Sequence, residues 1–157
     1  MNYAKIRKFD VSNGPNVRTT LFVSGCTHNC KGCFNKEQQN FNHGSKWTKE
    51  TEEEFLGYVK NENIKGVNIL GGEPLDQLMD DSLLNLLKRI KRETNKSIWL
   101  WSGYLLEEIM NHEKRREFLN YIDVLIDGKF ILEKRDLNLK YRGASNQRII
   151  KISDLNL

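Results

Sequence analysis

Short apolar runs closed by glycine recur along this chain, separated by stretches with a helical apolar period. "RTTLFVSG" (Arg18–Gly25), "GVNILGG" (Gly66–Gly72), "SIWLWSG" (Ser97–Gly103) and "IDVLIDG" (Ile122–Gly128) each have strand length. Runs that stay apolar at nearly every position suit strands buried on both faces, as in a parallel sheet. "RIIKI" (Arg148–Ile152) is a fifth candidate strand.

Between the runs lie three helix candidates. Thr48 is placed to N-cap a helix through "KETEEEFLGYVKN", with acidic residues in its first turns. "DDSLLNLLKRIKRET" opens on Asp80 and Asp81, carries Leu83, Leu84, Leu86, Leu87 and Ile90 on one face, and closes on basic residues. "LLEEIMNHEKRREFLNY" is the third, with a break expected near His112.

Strands alternating with helices predict βαβ units and a parallel sheet. A complete eight-fold barrel takes about 250 residues. At 157 residues the chain builds part of such a barrel, or an open sheet, as one domain spanning 1–157. Cys26 follows the first run, Gly71-Gly72-Glu73-Pro74 the second, Ser102-Gly103-Tyr104 the third and Asp127-Gly128-Lys129 the fourth. Ligands in α/β folds sit beyond the carboxyl ends of strands, so four polar or glycine-rich segments are expected on one edge.

Composition changes this picture little. The chain is 38% hydrophobic and 29% charged, ordinary for a globular protein, with net charge +4. That is too weakly basic to argue for nucleic acid. "MNYAKIRKFD" has no apolar h-region, and no apolar run approaches the roughly 20 residues of a membrane span. The expectation is a cytoplasmic protein with no membrane and no nucleic-acid partner, in which thiols stay reduced.

The cysteines change it a great deal. Cys26, Cys30 and Cys33 are the only three, all inside "SGCTHNCKGCFN". In a reducing compartment they are a metal or redox site rather than a disulfide framework. A structural zinc wants four ligands, and His28 or His43 would supply the fourth. A [4Fe–4S] cluster held by three thiolates keeps one iron open, which is what catalysis needs. Spacing alone leaves both readings standing. Gly71 and Gly72 at a strand end allow a close backbone approach to a ligand, and Glu73 offers a carboxylate for a ligand ammonium. With the cysteines one strand earlier, this favours a ligand-binding cluster site.

Cys26-x3-Cys30-x2-Cys33 followed by Gly71-Gly72-Glu73-Pro74 resembles the radical S-adenosylmethionine superfamily. "NGPNVRTTLFVSGCTHNCKGCFN", "LGGEPL", "WLWSGY", "VLIDGKF" and "RGASNQR" stand in the order found in activating proteins of anaerobic ribonucleoside-triphosphate reductases. The resemblance runs from about Asn13 to Arg148, and length fits that subfamily where other glycyl-radical activators are often longer.

The resemblance implies a single radical S-adenosylmethionine domain, a partial, open (β/α) TIM-like barrel with a mostly parallel sheet. It implies that Cys26, Cys30 and Cys33 hold one [4Fe–4S] cluster whose unique iron takes S-adenosylmethionine. Gly32, Cys33 and Phe34 would line that ligand, with Gly72 at its methionine end and Glu73 close by. The implied reaction is reductive cleavage to a 5′-deoxyadenosyl radical, which forms a glycyl radical on the large catalytic subunit of the anaerobic (class III) reductase. Reduced flavodoxin or a similar donor would supply the electron.

Other readings attach to single residues. Asn16 stands where many relatives have glycine, and Asn tolerates left-handed backbone. His28 is read as supporting the cluster from outside its ligand set or as facing solvent, and His43 and His112 as surface residues. One of Trp99 and Trp101 is expected to face the core, neither functional. Ser102 and Tyr104 are read as ligand contacts or a helix start. Asp127 and Lys129 are candidates to touch ligand or partner. Arg142 and Arg148 form either a solvated tail or a docking surface for the reductase or an acidic electron donor. The alternatives for the whole are activation of another glycyl-radical enzyme, such as a formate-lyase type, and a zinc-stabilised binding module.

Overall fold

The computed structural model describes all residues, Met1–Leu157. Seven strands make one sheet: β1 (Asn2–Asp10), β2 (Arg18–Val23), β3 (Ser45–Lys46), β4 (Gly66–Gly71), β5 (Ser97–Trp101), β6 (Val124–Asp127) and β7 (Arg148–Lys151). Their order across the sheet is β3-β1-β2-β4-β5-β6-β7. The middle strands β2, β4, β5 and β6 are parallel, while β1, β3 and β7 pair antiparallel at the edges. The result is an open mixed α/β sheet, parallel in the middle.

The four glycine-closed runs are the four parallel strands, and Arg148–Lys151 is the fifth predicted strand, turned antiparallel. The sequence reading missed β1. Its side chains are charged or half-exposed along most of its length, so it lacks the apolar run that marks the inner strands. It forms because β2 supplies a ladder for it.

The helices are α1 (Lys49–Val59), α2 (Ser82–Glu93), α3 (Leu106–Met110) and α4 (Glu113–Phe118). Thr48 caps α1 as expected, its side chain accepting from the Thr51 amide. The third candidate is indeed broken near His112, which caps α4 by accepting the Arg115 amide at Nδ1. His112 and His43 are half-buried rather than fully exposed.

One apolar cluster holds all four helices to one face of the sheet. It joins Leu21 and Val23, Val67 and Ile69, Ile98 and Leu100, and Leu125 to the faces of α1 and α2, with Ile109 and Phe118 from the shorter helices. Strand side chains alternate in direction. The same strands therefore turn Thr20, Phe22, Asn68, Leu70, Trp99 and Trp101 to the opposite face. That face is crossed by loops, not helices: Asn13 from the β1–β2 loop bonds Asn68, and Tyr141 from the β6–β7 connection bonds Trp101. The expectation that one tryptophan faces the helical core is corrected here. Both lie on the open face, their ring centroids 5.9 Å apart.

Candidate metal centre

The carboxyl ends of the four parallel strands meet at one cavity of about 510 Å³. Phe22 and Cys26 come from the end of β2, Leu70 to Glu73 from β4, Trp101 to Gly103 from β5, and Gly128 from β6. Cys30, Cys33 and Phe34 complete the same wall. Parallel strands all present their C-terminal ends on one edge, so residues far apart in sequence converge there.

The three thiols ride on one loop, closed at its neck. Gly25 donates its amide to Gln38 O at 2.7 Å, and Cys26 donates to Gln39 O at 3.0 Å. Between these ends the loop turns at Asn29 and Gly32, with φ of 52° and 75°. All three cysteines are free and half-buried. Burial pushes the Cys26 thiol up to about 11, against a hydrogen bond from the His28 amide that lowers it; Glu73, Asp76 and Cys30 raise it further. Burial also raises Cys30, followed by the Cys33 thiol, while Lys129 and a hydrogen bond from the Phe130 amide lower it.

The cavity wall is built by backbone fit. A Cβ on Gly72 would lie 2.5 Å from Gly25 O and 2.7 Å from Gln38 O. A Cβ on Gly71, where φ is 117°, would lie 2.4 Å from Val23 O. Both glycines are therefore required by the packing of β4 against the neck of the cysteine loop, before any ligand is considered.

Glu73 is 1% exposed, and both its oxygens already have donors. Oε1 takes the Gly103 amide at 2.6 Å, the Ser102 hydroxyl at 3.1 Å and His28 Nε2 at 2.6 Å; Oε2 takes the Leu75 amide at 2.9 Å. Its carboxylate ties the ends of β4 and β5 to the cysteine loop at the cavity wall. His28 is likewise no solvent-facing residue, its side chain being 6% exposed.

Three residues later, Asp76 repeats the device. Oδ2 takes the Thr27 amide and hydroxyl, each at 2.9 Å, and Oδ1 takes the Tyr104 hydroxyl at 2.6 Å and Arg115 Nη2 at 3.3 Å. Burial and the bond to Asp76 hold the Tyr104 phenol up at about 12. Ser102 and Tyr104 thus brace the cysteine loop rather than begin α3.

On the other side the loop leans on the β6–β7 connection. Phe34 is 61% exposed, so it is no core aromatic, and packs on Phe130 with centroids 4.8 Å apart. Gln147 ties this connection together: Oε1 accepts the amides of Gly143 and Ala144, and Nε2 donates to Gly128 O at 3.0 Å. Asp127 is fully buried, pairs with Arg148, and accepts the Leu106 amide. It is not a cavity group, and Arg148 is held by Asp127 and Glu107. Arg142 does line the cavity, with a buried Nε that has no protein partner. Sequence reasoning did not find Arg18, Asn68, Asp76 or Arg115, because single polar residues in strands and helices carry no motif.

This donor set suits an iron–sulfur cluster. Three free thiols face one cavity, and backbone amides point at two of the sulfurs, the kind of contact that tunes clusters. A mononuclear ion has a weaker claim. Ligand atoms of Cys26, His28 and Asp76 do lie within 4.8 Å of one another. Yet His28 Nε2 and both Asp76 oxygens are already engaged by protein groups.

An open α/β sheet with three thiols at its carboxyl edge defines a single-cluster iron–sulfur protein, and residues 12–150 match the family model of a 4Fe-4S single cluster domain. The anaerobic ribonucleoside-triphosphate reductase-activating protein of Haemophilus influenzae is 45% identical over 152 residues, covering 95% of this chain and 97% of that one. Its namesake from Vibrio cholerae serotype O1 is 43% identical over the same coverage. That of Enterobacteria phage T4 is 39% identical over 98% of this chain and 96% of its own. The chain belongs to the family of anaerobic ribonucleoside-triphosphate reductase-activating proteins.

Proposed function

We propose that this protein is the radical S-adenosylmethionine activase of an anaerobic ribonucleoside-triphosphate reductase, acting in the cytoplasm as one domain over 1–157. The observation that carries the reading is the loop Cys26–Cys33, three free thiols facing a cavity at the carboxyl edge of a parallel sheet. The open sheet is then a partial (β/α) barrel. Its loop-covered face is the inside.

Cys26, Cys30 and Cys33 would hold the cluster, and the chain has no fourth cysteine to complete its ligand set. With S-adenosylmethionine bound, the cluster would supply the radical chemistry that removes hydrogen from a glycine of the reductase large subunit. The protein's share is placement and shielding. Gly32, Cys33 and Phe34 line the ligand from the cysteine loop, and Gly72 and Glu73 bound it from the end of β4. Phe34 and Phe130 shield the mouth from water. Arg142 presents an uncommitted guanidinium N–H to an anionic ligand group. A cavity open on one side needs the large subunit to close it. Reduced flavodoxin or a similar donor provides the electron. The chain's similarity to activating proteins of anaerobic ribonucleoside-triphosphate reductases favours this over activation of a formate-lyase type enzyme.

The test is anaerobic. The protein is reconstituted with iron and sulfide, reduced, given S-adenosylmethionine and assayed for 5′-deoxyadenosine, with Cys30→Ala alongside. Product from the wild type only is expected, followed by a glycyl-radical signal when the large subunit is added. A colourless chain with one zinc and no product would overturn the reading.

A further inference from the structure

The mechanism above uses the three cysteines and leaves unexplained the buried imidazole between the first two. His28 lies within the motif, yet its side chain turns away from solvent to Glu73 Oε1 at 2.6 Å. Its ring stands edge-on to Tyr104, centroids 4.4 Å apart. It also lies so close to Gly103 that a Cβ there would be 2.6 Å from Cδ2 of the imidazole. Surface histidines do not acquire such surroundings. Three strand ends contribute: the loop after β2 brings His28, the end of β4 brings Glu73, and the end of β5 brings Ser102 and Gly103.

We propose that His28 is a positioning residue, a latch that fixes the Cys26–Cys30 half of the cluster loop to Glu73 and so to the ligand-lining Gly72. The proposal rests on the functional reading above and names what sets the relative geometry of cluster and ligand. Glu73 is the right anchor, because it follows Gly72 directly and its own amide donates to Gly25 O at 2.8 Å. Cluster and ligand sites thus share one rigid carboxylate. The partner bond from Thr27 to Asp76 fixes the same half of the loop one residue earlier. Cys30 and Gly32 lean on the more exposed β6–β7 connection, at Phe130 and Leu132. A buried carboxylate that loses a strong donor is left undersatisfied, so the latch is costly to open.

Two variants separate the hydrogen bond from packing. His28→Phe keeps a ring against Tyr104 and Gly103 but has no donor. His28→Gln keeps a donor that can reach Glu73. The full-length chain is studied in two states.

In the cluster-free state, hydrogen exchange of amides 26–33 is followed by mass spectrometry. His28→Phe is expected to exchange there faster than wild type, with His28→Gln close to wild type and other segments unchanged. In the reconstituted state, iron per chain is measured. The EPR spectrum of the reduced cluster is then titrated with S-adenosylmethionine. His28→Phe is expected to load iron yet need about tenfold more ligand for the spectral change, the lower end of losing a bond to a charged group. His28→Gln is expected to restore most of that affinity.

Unchanged exchange in His28→Phe overturns the latch whatever the cofactor proves to be. Equal ligand affinity in wild type and His28→Phe overturns its positioning role. A wild type that takes up iron but shows no response to S-adenosylmethionine overturns the functional reading, and this role with it. A His28→Phe chain that melts far below wild type while His28→Gln fails to recover ligand affinity makes the residue structural only, which also overturns the proposal.

Discussion

Arg18 Nε donates to Asn68 Oδ1 at 2.7 Å beneath the open face of the sheet, with the arginine only 1% exposed. No carboxylate pairs with this guanidinium. It is held by Ser97 Oγ, by the carbonyl oxygens of Val67 and Ser97, and by the face of Trp99 at 5.5 Å. Asn68 passes the connection on, donating to Asn13 O at 2.6 Å. A buried cation thereby fixes the β1–β2 loop whose Ser12 and Asn13 form part of the cavity wall.

Arg18→Met should destabilise the protein by about 3 kcal/mol, since it leaves several buried acceptors without donors. Urea unfolding measures this. Arg18→Lys should recover little, because one ammonium cannot reproduce the planar fork. Full recovery by lysine would show that charge alone matters there.

Asp10 makes the fold acid-sensitive in a defined window. Burial raises its pKa, but hydrogen bonds from Thr20, Asn13 and Ser12 outweigh it and bring the carboxyl to about 2. Because that value lies below the unfolded one, the ionised group stabilises the fold above about pH 4. The contribution, about 2 kcal/mol, is lost as pH falls toward 2. The stability gap between wild type and Asp10→Asn should therefore narrow between pH 5 and pH 2. A gap independent of pH would refute this.

Gly72→Ala should lower both stability and iron content. The added Cβ would sit 2.5 Å from Gly25 O, a backbone atom at the neck of the cysteine loop. Forcing the neck open costs about 1–3 kcal/mol, as overpacking does in a close-packed interior. Thermal melting and iron per chain read the two effects separately.

Asn16 holds a left-handed backbone, φ 65°, directly after Pro15. Asn16→Gly should leave stability unchanged or raise it slightly. Asn16→Val should cost about 1–2 kcal/mol, the penalty for a side chain in that region. Equal melting temperatures for both variants would mean the loop relaxes out of the conformation.

Much of this was legible in the chain. Glycine-closed apolar runs marked all four parallel strands, and the expected Thr48 cap and helix break were found, because buried strands and amphipathic helices write their environment into residue order. The cysteine spacing and the glycine pair pointed to one edge. Strand β1 escaped notice because half its side chains face solvent, and the aromatic face escaped because an inner strand is apolar on both sides. The uses of Glu73 and Asp76 were hidden for another reason. Each carboxylate binds donors 28 to 49 positions away, and nothing local at residue 73 or 76 distinguishes a structural anchor from a ligand contact.

By itself the sequence determined which segments become strands and helices, since local periodicity decides that, and which three thiols share a loop, since spacing decides it. Only the tertiary structure decided what the polar groups at the strand ends do. Hydrogen bonds are satisfied in space: His28 meets Glu73 and Trp101 meets Tyr141 only once parallel strands bring their carboxyl ends to one edge.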